Sequence, residues 1–123
     1  MPRLDHLTIF VRDWRAARAW YVETLGFRPE FEIPERGTAA LQDDAGLTLF
    51  LHERADEVAA SGCVMTFQVD DVERVFEALS ARGVRFEHGP AKVFWGYGAE
   101  LLDPDGHRIW LWDERTMREK GDG

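Results

Sequence analysis

Cysteine is nearly absent from this sequence: Cys63 is the one thiol in 123 residues. A single thiol excludes a disulfide framework and any zinc site built from thiolates. Cys63 falls in a strand-like run, where a buried structural role is the expectation and a catalytic thiol the alternative. Long apolar runs are missing too. No stretch approaches the ~18 residues of a membrane-crossing helix, and residues 1–7 lack the apolar core of a secretion signal, so a cytoplasmic location is expected. Basic charge is scarce: 15 Lys and Arg stand against 23 Asp and Glu, a net charge of −8. Nucleic acid and anionic membranes are poor partners for such a chain, because phosphate binding needs a basic face. A cationic or neutral small ligand is compatible with that balance. There is no G-x-S-x-G, no phosphate loop and no dinucleotide fingerprint.

What the sequence does have is aromatic surface: five Trp, eight Phe and two Tyr. With 45% apolar and 31% charged residues it reads as an ordinary globular chain. Its length suits one domain or two small modules, with enough buried surface to fold without disulfides or structural metal.

The chain repeats itself. Residues 4–13 (Leu-Asp-His-Leu-Thr-Ile-Phe-Val-Arg-Asp) and 62–71 (Gly-Cys-Val-Met-Thr-Phe-Gln-Val-Asp-Asp) both alternate like strands and end in Asp. Asp13 and Asp71 are placed to cap helices. The first helix carries Trp14, Ala17, Tyr21 and Leu25 on one face, the second Val72, Val75, Phe76 and Leu79, all at helical spacing. Gly26 and Gly83 fall where left-handed caps belong. Strands are expected at 27–33 and 84–88, then at 38–42 and 98–102. Asp43-Asp44-Ala45-Gly46 and Asp103-Pro104-Asp105-Gly106 supply turns before final strands at 47–52 and 107–112. The offset is 58 at the start (13 to 71) and 60 at the end (46 to 106). The expected fold class is α+β, with two tandem βαβββ modules at 1–53 and 62–113, a polar linker at 54–61 and a charged tail at 114–123 that frays.

Parity divides each sheet into two faces. Leu7, Ile9 and Val11 should pack on the first helix, and Cys63, Met65, Phe67 and Val69 on the second. Leu49, Leu51, Ile109 and Leu111 join them. The other face then carries His6, Thr8, Phe10, Thr48, Phe50 and His52 in one module, and Val64, Thr66, Gln68, Arg108, Trp110 and Trp112 in its repeat. Polar groups mixed with large rings suit a ligand-binding surface better than a dry core.

With these residues in view the chain resembles the vicinal oxygen chelate superfamily, which includes glyoxalase I, extradiol dioxygenases and bleomycin-resistance proteins. The resemblance rests on Leu4-Asp5-His6-Leu7-Thr8-Ile9, Trp20-Tyr21 with Leu25-Gly26-Phe27, and Asp103-Pro104-Asp105-Gly106. It covers residues 4–113. It implies paired βαβββ modules around a cavity, a homodimer and, in the family's enzymes, a divalent metal held at up to four positions. Carried onto this chain, those positions are His6, Phe50, Val64 and Trp110. Only His6 has a lone pair to give: Phe and Val have none, and indole is a donor. Catalytic metal centres want about three protein ligands. The alternative is a shifted centre at His6, His52 and Glu100 holding Zn, Ni, Mn or Fe, and hence a glyoxalase- or dioxygenase-type enzyme.

The expected function is therefore metal-independent binding of a planar aromatic compound, as in antibiotic self-resistance, with no cofactor. Phe10, Phe50, Trp95, Tyr97, Trp110 and Trp112 would wall or stack the guest, since such rings stack on flat ligands and attract cations. His6, Thr8, Thr66, Gln68 and Arg108 would orient it. Several bland readings stand beside these. The rings fill the module or a dimer interface, and Trp14 and Trp20 are structural. Arg108 pairs with Glu100 instead of an anionic ligand, and the helix charges Arg15, Arg18, Glu73 and Glu77 form a solvated face. His6 as a metal-free general base is a further option.

Overall fold

The computed structural model describes residues 4–54 and 63–122, and the chain divides into two compact units, 1–59 and 60–123. Most of the expected linker at 54–61 lies outside the described residues.

In the first unit, β1 (His6–Val11) is followed by α1 (Trp14–Leu25), β2 (Arg28–Ile33), β3 (Thr38–Gln42) and β4 (Thr48–Glu53). The sheet order is β1-β4-β3-β2, with β1 parallel to β4 and the other pairs antiparallel. Asp13 starts α1 by accepting from the Arg15 and Ala16 amides, and Gly26 ends it at φ 74°. Gly26 has no Cβ to oppose that left-handed turn, which is why glycine stands there. Trp14, Ala17 and Tyr21 bury against the helix-facing side of the sheet, where Val11, Ala39, Leu41, Leu49 and Leu51 are also buried. Full burial of each large side chain contributes roughly 1.5–3 kcal/mol. Leu7 departs from its expected role: it is 38% exposed, because β1 begins as the edge strand and only its end reaches the core.

The second unit repeats this plan with β5 (Met65–Gln68), α2 (Val72–Ala81), β6 (Phe86–Val93), β7 (Gly96–Leu102) and β8 (Arg108–Trp112), in the order β5-β8-β7-β6. The repeat extends to single hydrogen bonds. Asp43 Oδ1 accepts from the amides of Ala45 and Leu47, and Asp103 Oδ1 from those of Asp105 and His107. Glu53, the last residue of β4, accepts from the Trp14 amide, and Asp113, the residue after β8, accepts from the Val72 amide, so the end of each module's last strand holds the start of its own helix.

Three expectations are corrected. The tail does not fray. It forms α3 (Glu114–Lys120), capped by Asp113 and laid against β7. Asp113 is 1% exposed and also accepts from the backbone amide and hydroxyl of Thr116, each at 2.6 Å. Cys63 is exposed, because strand pairing in β5 starts only at Met65. Three of the four helix charges are not simply solvated: Arg15 lies over the Trp14 ring, 4.4 Å from its centroid, Arg18 pairs with Glu32, and Glu73 faces Arg115 and Lys120 of α3, each at 3.8 Å. Among the described residues no helix is long and apolar enough to cross a membrane.

Candidate functional site

The face of each sheet turned away from its helix is organised by register. In the first module one row runs Thr8–Phe50–Ala40–Phe31 across the four strands. Its repeat in the second module is Thr66–Trp110–Glu100–His88. The two rows hold the same places in the duplicated fold, but an Ala–Phe pair in one is a Glu–His pair in the other.

Phe50 is ringed in the first module. His6 lies 4.5 Å from it, tilted by 37°, and Phe31 meets it edge-on at 5.7 Å. The His6 Nδ1 is 2.9 Å from the Asp5 carboxylate, which orients the imidazole. Further along, Phe10 is opposite His52, the rings 6.2 Å apart and nearly perpendicular. The Thr38 hydroxyl donates to the Arg36 carbonyl, so its oxygen accepts from His52 Nδ1–H at 2.8 Å. That chain fixes the neutral tautomer of His52 and leaves Nε2 as its lone-pair nitrogen.

The second module carries the denser cluster. The Trp95 and Trp110 rings are stacked, with centroids 4.8 Å apart and planes within 9°. Phe94 meets Trp110 edge-on at 5.8 Å. Trp110 Nε1 donates to Glu100 at 2.8 Å, and Arg108 lies 3.8 Å from the same carboxylate. The Glu100 side chain is only 13% exposed, so these donors are what make its burial tolerable. The stack rests on Gly98, where a Cβ would strike both the Trp95 ring and the Leu111 carbonyl. Gly96, at φ 137°, breaks the alternation and lets Trp95 cross onto this face.

The sequence expectations sort accordingly. Thr66, Trp110 and Trp95 come together, and Gln68 pairs across from Trp112 in the neighbouring row. Arg108 reaches Glu100, the bland alternative. Tyr97 is corrected. It shares parity with buried Ala99 and Leu101, and its ring lies beneath Lys120 of α3, on the opposite side of the sheet. His6, Thr8, Phe10 and Phe50 belong to the first module's face. Trp14 is buried in the helix-side core, and Trp20 packs on Tyr21 at 4.9 Å.

Phe31, Phe94 and His88 went unnoticed in the sequence. Bulges explain two of them. A register shift between Pro29 and Phe31 brings Phe31 opposite Ala40, and another between Phe86 and His88 brings His88 opposite Glu100. Strict alternation reads past such shifts. Phe94 is 92% exposed at the β6–β7 turn, and its place in Phe94-Trp95-Gly96 was the only available sign.

A divalent metal does not fit these residues. Of the four positions that the family resemblance assigns, only His6 offers a ligand atom. The shifted set fares no better. His6 is opposite Thr48, and His52 lies four residues further along β4, about 13 Å away at ~3.3 Å per residue, with Phe50 between them. Glu100 is engaged by Trp110 and Arg108. Among the described residues no three His, Cys, Asp or Glu side chains gather at one point.

The family model for the glyoxalase/bleomycin resistance protein/dioxygenase superfamily matches residues 3–111. The chain belongs to that superfamily. Solved structures agree on the fold. A protein from Agrobacterium tumefaciens is 27% identical, with a TM-score of 0.77 over 92% of this chain and 98% of that one. A superfamily member from Sphaerobacter thermophilus DSM 20745 is 25% identical, with a TM-score of 0.75 over 92% and 98%. A lactoylglutathione lyase from Agrobacterium tumefaciens, 17% identical, aligns at a TM-score of 0.71 over 93% and 96%, which speaks to the fold alone. No curated protein matches the chain.

Proposed function

We propose that this superfamily member binds a planar aromatic small molecule without a metal, sequestering it in the manner of an antibiotic-resistance protein. The observation that carries this reading is the Trp95–Trp110 stack with Phe94 beside it. Two rings are held parallel and the indole N–H is anchored on Glu100, while a third ring is 92% exposed at their edge. A cluster serving only to fill the fold would bury Phe94. Covering that ring with a guest removes apolar surface from water at roughly 25 cal/mol per Å². The guest favoured is a cation. Indole faces attract positive charge, the Glu100 carboxylate stands at the edge of the Trp110 ring, and the net charge of −8 supports the same sign.

The test is calorimetric titration with 10-methylacridinium in EDTA-containing buffer. Binding is expected, and Trp110→Ala should weaken it by about 1–3 kcal/mol, the size of one lost stacking platform. Affinity unchanged in Trp110→Ala, with the variant folded by circular dichroism, would remove the site from this face.

A further inference from the structure

His88 gives this face a direction. It sits on β6 opposite Glu100, and Glu100 sits opposite Trp110. The bulge beside it settles which way it faces. A Cβ on Gly89 would run into the Phe76 ring of α2, so the following residue addresses the helix and His88 the other side. His88 Nδ1 is 2.8 Å from the Gly89 carbonyl. A carbonyl only accepts, so Nδ1 carries the hydrogen and the neutral ring presents Nε2 as an acceptor. Among the described residues no group bonds Nε2, and the side chain is half-exposed. Trp110 and His88 are two strand spacings apart, about 10 Å at ~4.8 Å each, the span of a fused aromatic ring system. In the first module the corresponding place is Phe31, so an acceptor there is peculiar to the second.

We infer that His88 is a specificity-determining residue, whose Nε2 selects aromatic cations bearing an N–H donor at the end remote from the ring stacked on Trp110. The inference rests on the binding reading above. An acceptor that a guest covers but leaves unpaired penalises a ligand that lacks the donor, whereas stacking alone is indifferent to it.

The experiment compares two probes of the same tricyclic shape by calorimetry near neutral pH. One is 3,6-diaminoacridine, a cation with an amino donor on each outer ring, and the other is 10-methylacridinium, a cation with none. The native chain should prefer 3,6-diaminoacridine by about tenfold, one hydrogen bond's worth. His88→Leu should erase the preference by weakening 3,6-diaminoacridine alone, and His88→Gln, which keeps an acceptor, should restore much of it. Trp110→Ala should weaken both probes alike. Equal affinities in the native chain, or a preference that survives in folded His88→Leu, overturns the role of His88 and leaves the aromatic platform standing. Binding of neither probe overturns both readings.

Discussion

Replacing Asp113 by alanine should cost about 3 kcal/mol of stability, because it removes a charged acceptor from three short hydrogen bonds at once. The bonds run to the Val72 amide, the Thr116 amide and the Thr116 hydroxyl, all at 2.6 Å, so one carboxylate starts both α2 and α3. Ordinary N-cap losses are nearer ~1 kcal/mol. The excess here comes from burial, which leaves the abandoned donors without water. The thermal midpoint should fall by roughly 10 °C. Burial pushes the carboxyl's pKa up, but the hydroxyl and amide donors, with the charge of Arg115, outweigh it and hold the pKa below the ordinary carboxylate value. The stabilisation from this lowered pKa is therefore complete above the unfolded carboxylate pKa. It is lost as pH falls through the folded one. Asp113→Asn, which keeps an acceptor but cannot ionise, should lose less at neutral pH and show a shallower acid limb. Urea unfolding at pH 7 and across the acid range checks both. A loss below about 0.5 kcal/mol in Asp113→Ala, the scale of an ordinary surface change, would contradict this role.

Gly98→Ala should be nearly as damaging, and its damage should be optical as well as energetic. The added methyl meets the Leu111 carbonyl on one side and the Trp95 ring on the other. The carbonyl is part of β8 and cannot swing away, so the strand must shift or Trp95 must leave. Overpacking of this kind costs about 1–3 kcal/mol, with more where backbone is involved. The two indoles, 9° from parallel at 4.8 Å, should couple as excitons in the native chain. Gly98→Ala should abolish that circular-dichroism couplet while the helices persist. Retention of the couplet in the variant would mean that Trp95 does not depend on the glycine beneath it.

Much of the fold was legible because the chain says it twice. The strand at 38–42 was placed to the residue, both Asp-rich turns form the same hydrogen-bond pattern, and Gly26 and Gly83 adopt the left-handed turns expected of them. What the repeat could not reveal is what only one module has. α3 was misread because its seven residues are nearly all polar, and its stability comes from Asp113 and contact with β7, not from an apolar stripe. Trp110 is recognisable as a ring at one of the four metal-ligand positions and Trp95 as a ring that walls a guest, but their contact with each other depends on the backbone at Gly96 and Gly98. Tyr97 was assigned to the wrong side for the same reason. His88 was invisible to a period of two, since one extra residue in β6 decides which face it serves.

The most direct test of metal-independent binding on the second module's aromatic row is the indole region of a ¹H–¹⁵N correlation spectrum. The five indole N–H signals are assigned by single Trp→Phe substitution, and 3,6-diaminoacridine is added in EDTA. The account predicts saturable shifts of the Trp110 and Trp95 signals, with Trp14 and Trp20 unmoved. Shifts confined to Trp14 and Trp20, or binding that appears only after Zn, Ni, Mn or Fe is restored, would contradict it.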